Sequence, residues 1–379
     1  MRIASYTTML NARHRWAVVR AMIMLNLVAL SAMYLSGQWD AAEHAKGAVD
    51  RFWYPPHFGI YFGLLAAAVL SGLGLALILR EPGRTGAKLR RNAVLTFVVV
   101  ANAMGVTGAP FDAWWHNTFG IDLTVWSPPH LHLLIGTVAA ALGCTVYFLD
   151  DEPVQSPLRL LGRYAAHRPL AIFALLLALL MASYTFLEYE AGITSAAVLS
   201  RPLWTYPVLW TGFTLLVLAI CTAITRRIGT ATLVGALYVV ARLAVLWLDR
   251  AVLDYRGIAA FPLVVPALAF DLLLLALWPR WGEGHPRLVL ALVGLLTGAL
   301  VAVSTQWYWN MMYVAPVLVV EPWHSFWPAA LVAGLLGTGA GWWCGTKLRQ
   351  LRPAGASALA AHESGPVASA RRLTDQRSG

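Results

Sequence analysis

Along this chain, long apolar runs alternate with short polar turns, and the runs are all of similar length. Ten of them stand out, at about residues 16–37, 57–80, 92–113, 129–149, 168–188, 203–224, 229–248, 259–279, 287–308 and 324–346. Crossing the hydrocarbon of a bilayer takes about 20 apolar residues in helical form. A backbone surrounded by lipid must also satisfy its own hydrogen bonds, which a helix does within one segment. The pattern therefore predicts an all-α polytopic membrane protein of about ten transmembrane helices, paired in five hairpins.

Composition supports this. Of 379 residues, 59% are hydrophobic and only 12% charged, against roughly 45–50% apolar in a soluble domain. The formal net charge of +10 raises the question of a nucleic-acid partner, but its distribution answers it. With the N-terminus in the cytoplasm, 22 of the 28 Lys and Arg residues fall in cytoplasmic turns or in the C-terminal tail. Lys46, Arg51, Arg201, Arg250 and Arg256 are left outside, and Arg242 within a helix. That asymmetry predicts an N-in, C-in orientation, so the basic charge is topological and the partner it implies is the lipid bilayer. The first apolar run follows a basic segment, as a signal peptide does. It is as long as a span, however, and the motif described below begins at its outer end, so a retained helix is expected. Cys144, Cys221 and Cys344 lie inside predicted spans without close spacing and read as packing residues.

Three regions follow. Residues 1–150 hold the first two hairpins. A polar segment at 150–167 separates them from a six-helix region, 151–350, whose relation to the first is not evident. The stretch 351–379, rich in Ala, Ser, Gly and Arg, is expected to be a disordered cytoplasmic tail.

Laying the first two outer turns over one another reveals an internal repeat. The first reads Asp40-Ala41-Ala42-Glu43-His44, then Asp50, then Pro55-Pro56-His57; the second reads Asp112-Ala113-Trp114-Trp115-His116, then Asp122, then Pro128-Pro129-His130. In the last hairpin Gln306, Asn310 and His324 fall at the spacings of Asp112, His116 and His130, as a degenerate third copy. On a helix, residues i and i+4 share a face, so Asp40 with His44, and Asp112 with His116, can point at a common centre. Pro-Pro suits the first turn of the following helix, and the loop can fold His57 or His130 back as a third ligand. The helix N-terminus there disfavours imidazolium, and neutral imidazole is the metal-binding form. Two imidazoles and a carboxylate suit Cu(II), Zn(II) or non-haem Fe(II). For any one of these residues, an ordinary membrane-boundary role is the simpler explanation; the five-position repeat argues against it. Bis-histidine haem ligation is disfavoured, because Pro-Pro interrupts any helix that would carry both histidines.

Several auxiliary residues follow. Asp50 and Asp122 are candidates for hydrogen-bond acceptors that orient the ligating imidazoles, or for solvated loop and capping residues. Glu43, where the second copy has Trp115, is a candidate extension of the first acidic site. His132 is an alternative to His130, though it faces another way. Arg242 and Asp271, deep in neighbouring helices, are expected to find partners, as an ion pair or as part of a proton or substrate path. Glu188 and Glu190 belong to the outer end of the fifth helix. Tryptophans concentrate at the outer turns, as an interfacial belt does, and Trp114 and Trp115 also suit the exclusion of water from a reactive site. The Gly337-x3-Gly341-x3-Gly345 run reads as a close helix-packing face.

These residues resemble the C subunit of the copper membrane monooxygenases, the particulate methane and ammonia monooxygenase family. One hairpin of that subunit carries Asp-Ala-x-x-His, a second Asp ten residues after the first, and Pro-x-His, which matches Asp40, Ala41, His44, Asp50, Pro55 and His57 without a gap. Its next hairpin has the longer spacing of His116 and His130. The chain departs from the family at Asp112, where Asn is expected; aspartate still coordinates, with one more negative charge. The resemblance covers about residues 30–150. It implies copper, with zinc or non-haem iron left open by ligand type alone, and oxidation of a small apolar substrate with dioxygen. It also implies other membrane subunits, an extracytoplasmic copper-binding partner and a bacterial-type inner membrane, with the metal sites toward the extracytoplasmic side. The reading from another class is a copper or zinc handling protein, a carrier or metallochaperone without redox turnover. Such a Cu(I) path would call for a ladder of Met and Cys ligands, which the sequence lacks. An ordinary transporter with boundary histidines is a third reading.

Overall fold

The structure, a computed structural model, describes residues 2–47, 52–120, 124–149, 156–186, 205–255, 261–312 and 327–352, without the side chains of 2–13, 45, 306 and 308–312. Among the described residues ten long helices form the fold: α1 (Arg2–Ala45), α2 (Pro55–Leu79), α3 (Ala93–Phe119), α4 (Pro128–Tyr147), α5 (Pro169–Ala182), α6 (Thr205–Thr225), α7 (Thr230–Val252), α8 (Val264–Leu277), α9 (Pro286–Met312) and α10 (Trp327–Gln350). Each predicted span falls on one of them. Among the described residues nine are long and apolar enough to cross a membrane. The tenth, α10, has the length, but its glycines, tryptophans and threonines dilute its hydropathy. Helix α5 tightens at its end into a 3-10 turn, Ser183–Phe186. A two-residue parallel bridge, Arg159–Leu160 with Arg227–Ile228, ties the turn before α5 to the turn before α7.

Helices α1 and α3 run past their expected ends at 37 and 113, to Ala45 and Phe119. The Asp and His of each repeat therefore lie on the last turns of a continuous helix. Helix α3 is stopped by Gly120, whose φ of 90° is costly for residues with a Cβ. Helix α1 packs on α2 and α3 on α4, with α2 against α3 between the hairpins. Beneath the second site α3 and α4 touch backbone to backbone: a Cβ on Gly136 would lie 2.5 Å from the Gly105 nitrogen.

Polar side chains pin this four-helix unit at mid-membrane. Asn26 Nδ2 donates to the Ala67 carbonyl at 2.8 Å, and Asn102 Nδ2 donates to Ser71 Oγ at 3.0 Å. Cys144 Sγ contacts Asn26 Oδ1 at 3.7 Å, so that thiol is a packing residue, as expected.

The two regions share one core, which runs from Val19 and Leu27 through Leu175 and Trp210 to Val293 and Val301. In the second region the glycine run of α10 lies on α6, as its spacing predicts. A Cβ on Gly337 or Gly341 would come within 2.2 Å of the carbonyl oxygen of Gly212 or Leu216 respectively.

Arg242 and Asp271 do not pair with each other. Asp271, on α8, accepts hydrogen bonds from the backbone N–H and the hydroxyl of Thr232, both at 2.7 Å. A carboxylate from one helix thus caps the positive N-terminus of α7. Arg242 lies ten residues further along α7, about 15 Å away by helical rise. It donates to Gln38 Oε1 of α1 at 3.2 Å, which joins the second region to the first.

Candidate metal centres

The six predicted ligands come together as two separate triads. In the first, Nε2 of His44 lies 3.4 Å, and Nε2 of His57 3.2 Å, from Asp40 Oδ1. In the second, Nε2 of His116 and of His130 lie 3.3 and 3.4 Å from Asp112 Oδ1. Within each triad the three ligand atoms are all within 4.8 Å of one another. Ligands bound at about 2.0–2.1 Å to one tetrahedral centre stand about 3.3 Å apart, so the spacing suits a small metal ion with a position to spare.

The local fold follows from the repeat. Asp and His are i and i+4 on the end of α1 or α3. Pro occupies the first positions of α2 and α4, after the extended residues Tyr54 and Ser127, and the third residue of each helix is the remaining histidine. Each loop turns that histidine back toward the preceding helix. Its other nitrogen is anchored there, with His130 Nδ1 2.8 Å from the Thr124 carbonyl and His57 Nδ1 3.3 Å from the Phe52 carbonyl.

These anchors set the protonation of the rings. A carbonyl only accepts, so Nδ1 carries the proton in His57 and His130; in the neutral ring Nε2 then presents a lone pair. Each Nε2 faces a carboxylate oxygen at 3.2 or 3.4 Å, and either a proton on that nitrogen or a metal ion held between the two atoms joins them. Asp40 Oδ1 is buried and no hydrogen bond satisfies it. Leaving such an oxygen without a partner is costly, and a metal ion would supply the missing charge.

The surroundings differ. Beside the first triad Glu43 pairs with Lys46 at 2.6 Å and accepts a hydrogen bond from the Tyr54 hydroxyl at 3.1 Å. Partial burial, together with the Glu43 carboxylate, pushes the Tyr54 phenol above its usual pKa, so it remains a donor. Lys46 also donates to the Leu253 carbonyl at the end of α7, at 3.1 Å. Gln38, two residues before Asp40, holds Arg242. The rings of Tyr54 and Tyr61 lie 6.1 and 5.6 Å from that of His57, and along the helix that carries Asp112 and His116, Trp115 packs on Phe119 with centroids 4.5 Å apart and Phe111 stacks on Trp114 at 5.9 Å.

Of the auxiliary residues, Glu43 does not join the first triad; its carboxylate is committed to Lys46 and Tyr54. His132 is not an alternative ligand, because its Nε2 meets Thr107 Oγ1 at 3.0 Å and its ring meets Phe111 edge-on. Asp50, Asp122, His324, Glu188 and Glu190 lie outside the described residues, as do the side chains of Gln306 and Asn310, and with them the degenerate third copy and most of the tail. The carbonyls of Phe52 and Thr124 and the Arg242–Gln38 contact were not anticipated. The first two are main-chain groups without a residue-type signature, and the last depends on which helices pack together.

Comparison with protein-family models, with curated proteins and with solved structures finds no match to this chain. Fold and site together define a polytopic α-helical membrane protein with two carboxylate–histidine clusters, each arranged as a metal centre would be.

Proposed function

We propose that this chain is a copper-binding membrane protein resembling the copper monooxygenase C subunit, and that it takes part in oxidising a small apolar substrate with dioxygen. Asp40, His44 and His57 would hold one ion, and Asp112, His116 and His130 a second. The observation that carries the reading is the convergence of one carboxylate oxygen and two imidazole nitrogens within 4.8 Å of one another, twice, in equivalent hairpins. Copper, when bound, supplies one-electron chemistry toward dioxygen; the donor set alone also admits zinc or non-haem iron.

The chain's own groups have definable tasks in this reading. The Phe52 and Thr124 carbonyls fix the ring orientation and tautomer of His57 and His130. Phe111, Trp115 and Phe119 offer apolar contact to a substrate arriving from the bilayer. The distribution of Lys and Arg supports an N-in orientation in a bacterial-type inner membrane, with both triads toward the extracytoplasmic face. Further membrane subunits and an extracytoplasmic copper-binding partner belong to the proposal through the resemblance alone.

Elemental analysis and copper EPR on protein purified from copper-replete cells test it, with the double variant His57→Ala/His130→Ala as the reference. Wild type should hold copper in excess of the double variant. Equal copper in the two would refute the reading. Copper binding without oxidation of small alkanes or ammonia, in membranes given dioxygen and a reductant, would favour the metal-handling alternative.

A further inference from the structure

At the end of the bundle away from the triads, α9 and α10 diverge. They touch at Gly294, Gly298 and Gly334, where an added Cβ would meet the facing helix at 2.8 to 3.5 Å. Toward the start of α9 they open into a groove of about 340 Å³ lined by Arg287, Leu290, Ala291, Leu335, Gly339, Trp342, Trp343 and Thr346. Along α10 the lining residues recur turn by turn from Leu335 to Thr346, a length of about 16 Å by helical rise.

The groove is polar at one end only. Arg287 is exposed, and among the described residues no carboxylate lies within ion-pair distance of it. It sits in the first turn of α9, where the helix N-terminus adds positive potential; Thr346 adds a hydroxyl, and Lys347 follows it. Away from that end the lining is Leu290, Ala291, Gly339 and Leu335. Gly339 leaves space that no protein atom fills, since a Cβ there would meet nothing within 4 Å. One wall is fixed, because Trp342 is held between Trp278, at 5.2 Å, and the Arg226 guanidinium, at 5.4 Å.

We infer that this groove binds one anionic glycerophospholipid, with its phosphate at Arg287 and one acyl chain lying over Gly339 toward Leu335. Cationic end and apolar length are disposed as an amphiphile in a leaflet is, with the headgroup at the membrane surface and the chain toward the middle. Basic pockets between transmembrane helices recognise anionic headgroups in this way. The inference concerns different residues from the triads and does not depend on their holding metal.

The test is native mass spectrometry of delipidated full-length protein, titrated with phosphatidylglycerol or phosphatidylcholine of the same chains. Wild type should take up one phosphatidylglycerol in preference to phosphatidylcholine. Arg287→Gln should weaken that preference about fivefold, in line with one basic residue near a membrane surface. The Cβ of Gly339→Leu has nothing within 4 Å and the rest of its side chain enters the groove, so the variant should keep the wild-type melting temperature and lose the bound lipid of either kind. Equal uptake of the two lipids by wild type, or phosphatidylglycerol retained by Gly339→Leu, would overturn the inference. Displacement of the lipid by millimolar inorganic phosphate would overturn it too, by showing a site for a free anion.

Discussion

The two triads have the same three ligand types at nearly the same distances, yet they sit in different surroundings. Exposure differs ligand by ligand: His57 is 10% exposed against 32% for His130, whereas Asp40 and His44, at 20% and 25%, are more open than Asp112 and His116, at 15% and 16%. The first is ringed by Glu43, Lys46 and Tyr54 and tied to α7 through Gln38–Arg242 and Lys46–Leu253. At the second, the residue in the place of Glu43 is Trp115, which packs on Phe119. One substitution in the repeat accounts for much of this, since Glu43 and Trp115 hold equivalent positions. Ligand geometry is thus set by the spacing Asp-x3-His and Pro-Pro-His, while the character of each site is set by what lies between.

The largest effect expected is on metal content. His57→Ala should cost the first site more than about 100-fold in affinity and leave the second unchanged, and His130→Ala the reverse; loss even of groups behind the ligands costs 10–100-fold. Calorimetric titration of each variant checks this. If His57→Ala emptied both sites, the two would be one coupled centre rather than two.

Acidification should act on both sites in the same direction. Each site uses two imidazoles, which bind metal only when neutral, so protons compete and affinity falls as pH falls. The expected slope is about 100-fold per pH unit, read from metal-binding isotherms; a slope near tenfold would mean one histidine per ion. Removal by a chelator should also be biphasic, with the fast phase belonging to the second site, where His130 is the more open of the two helix-start histidines, and absent from His130→Ala.

Arg242→Gln sharpens the comparison from the other side. It removes a buried charge-assisted hydrogen bond, which contributes about 1.5–3 kcal/mol, and its effect should be confined to stability and to the first site. Thermal denaturation and site-resolved metal affinity measure it, and a loss at the second site would contradict the assignment. The smallest change expected is from Glu43→Gln. Lys46 already neutralises that carboxylate, so the first-site affinity should move by less than about threefold, as for other partly exposed ion pairs.

Much of this was legible in the sequence because the membrane simplifies the physics. Apolar run length marks each of the ten helices, and close glycine spacing marks the α6–α10 contact. The six ligands were legible because they occur twice. Helix ends were less so: α1 and α3 continue through polar residues that hydropathy assigns to the turn, and only the i, i+4 placement of Asp and His hints at it. Partner choice between helices was not legible. Arg242 and Asp271 invite an ion pair on charge alone, but Asp271 caps the start of α7 while Arg242 reaches α1.

The central claim is two independent Asp/His/His metal centres in one chain, and counting metal ions tests it most directly. Metal-free protein titrated with Cu(II), with bound metal measured after removal of free ion, should bind two ions per chain as wild type, one as His57→Ala or His130→Ala, and none as the double variant. Two ions retained by the double variant, or none bound by wild type, would contradict it.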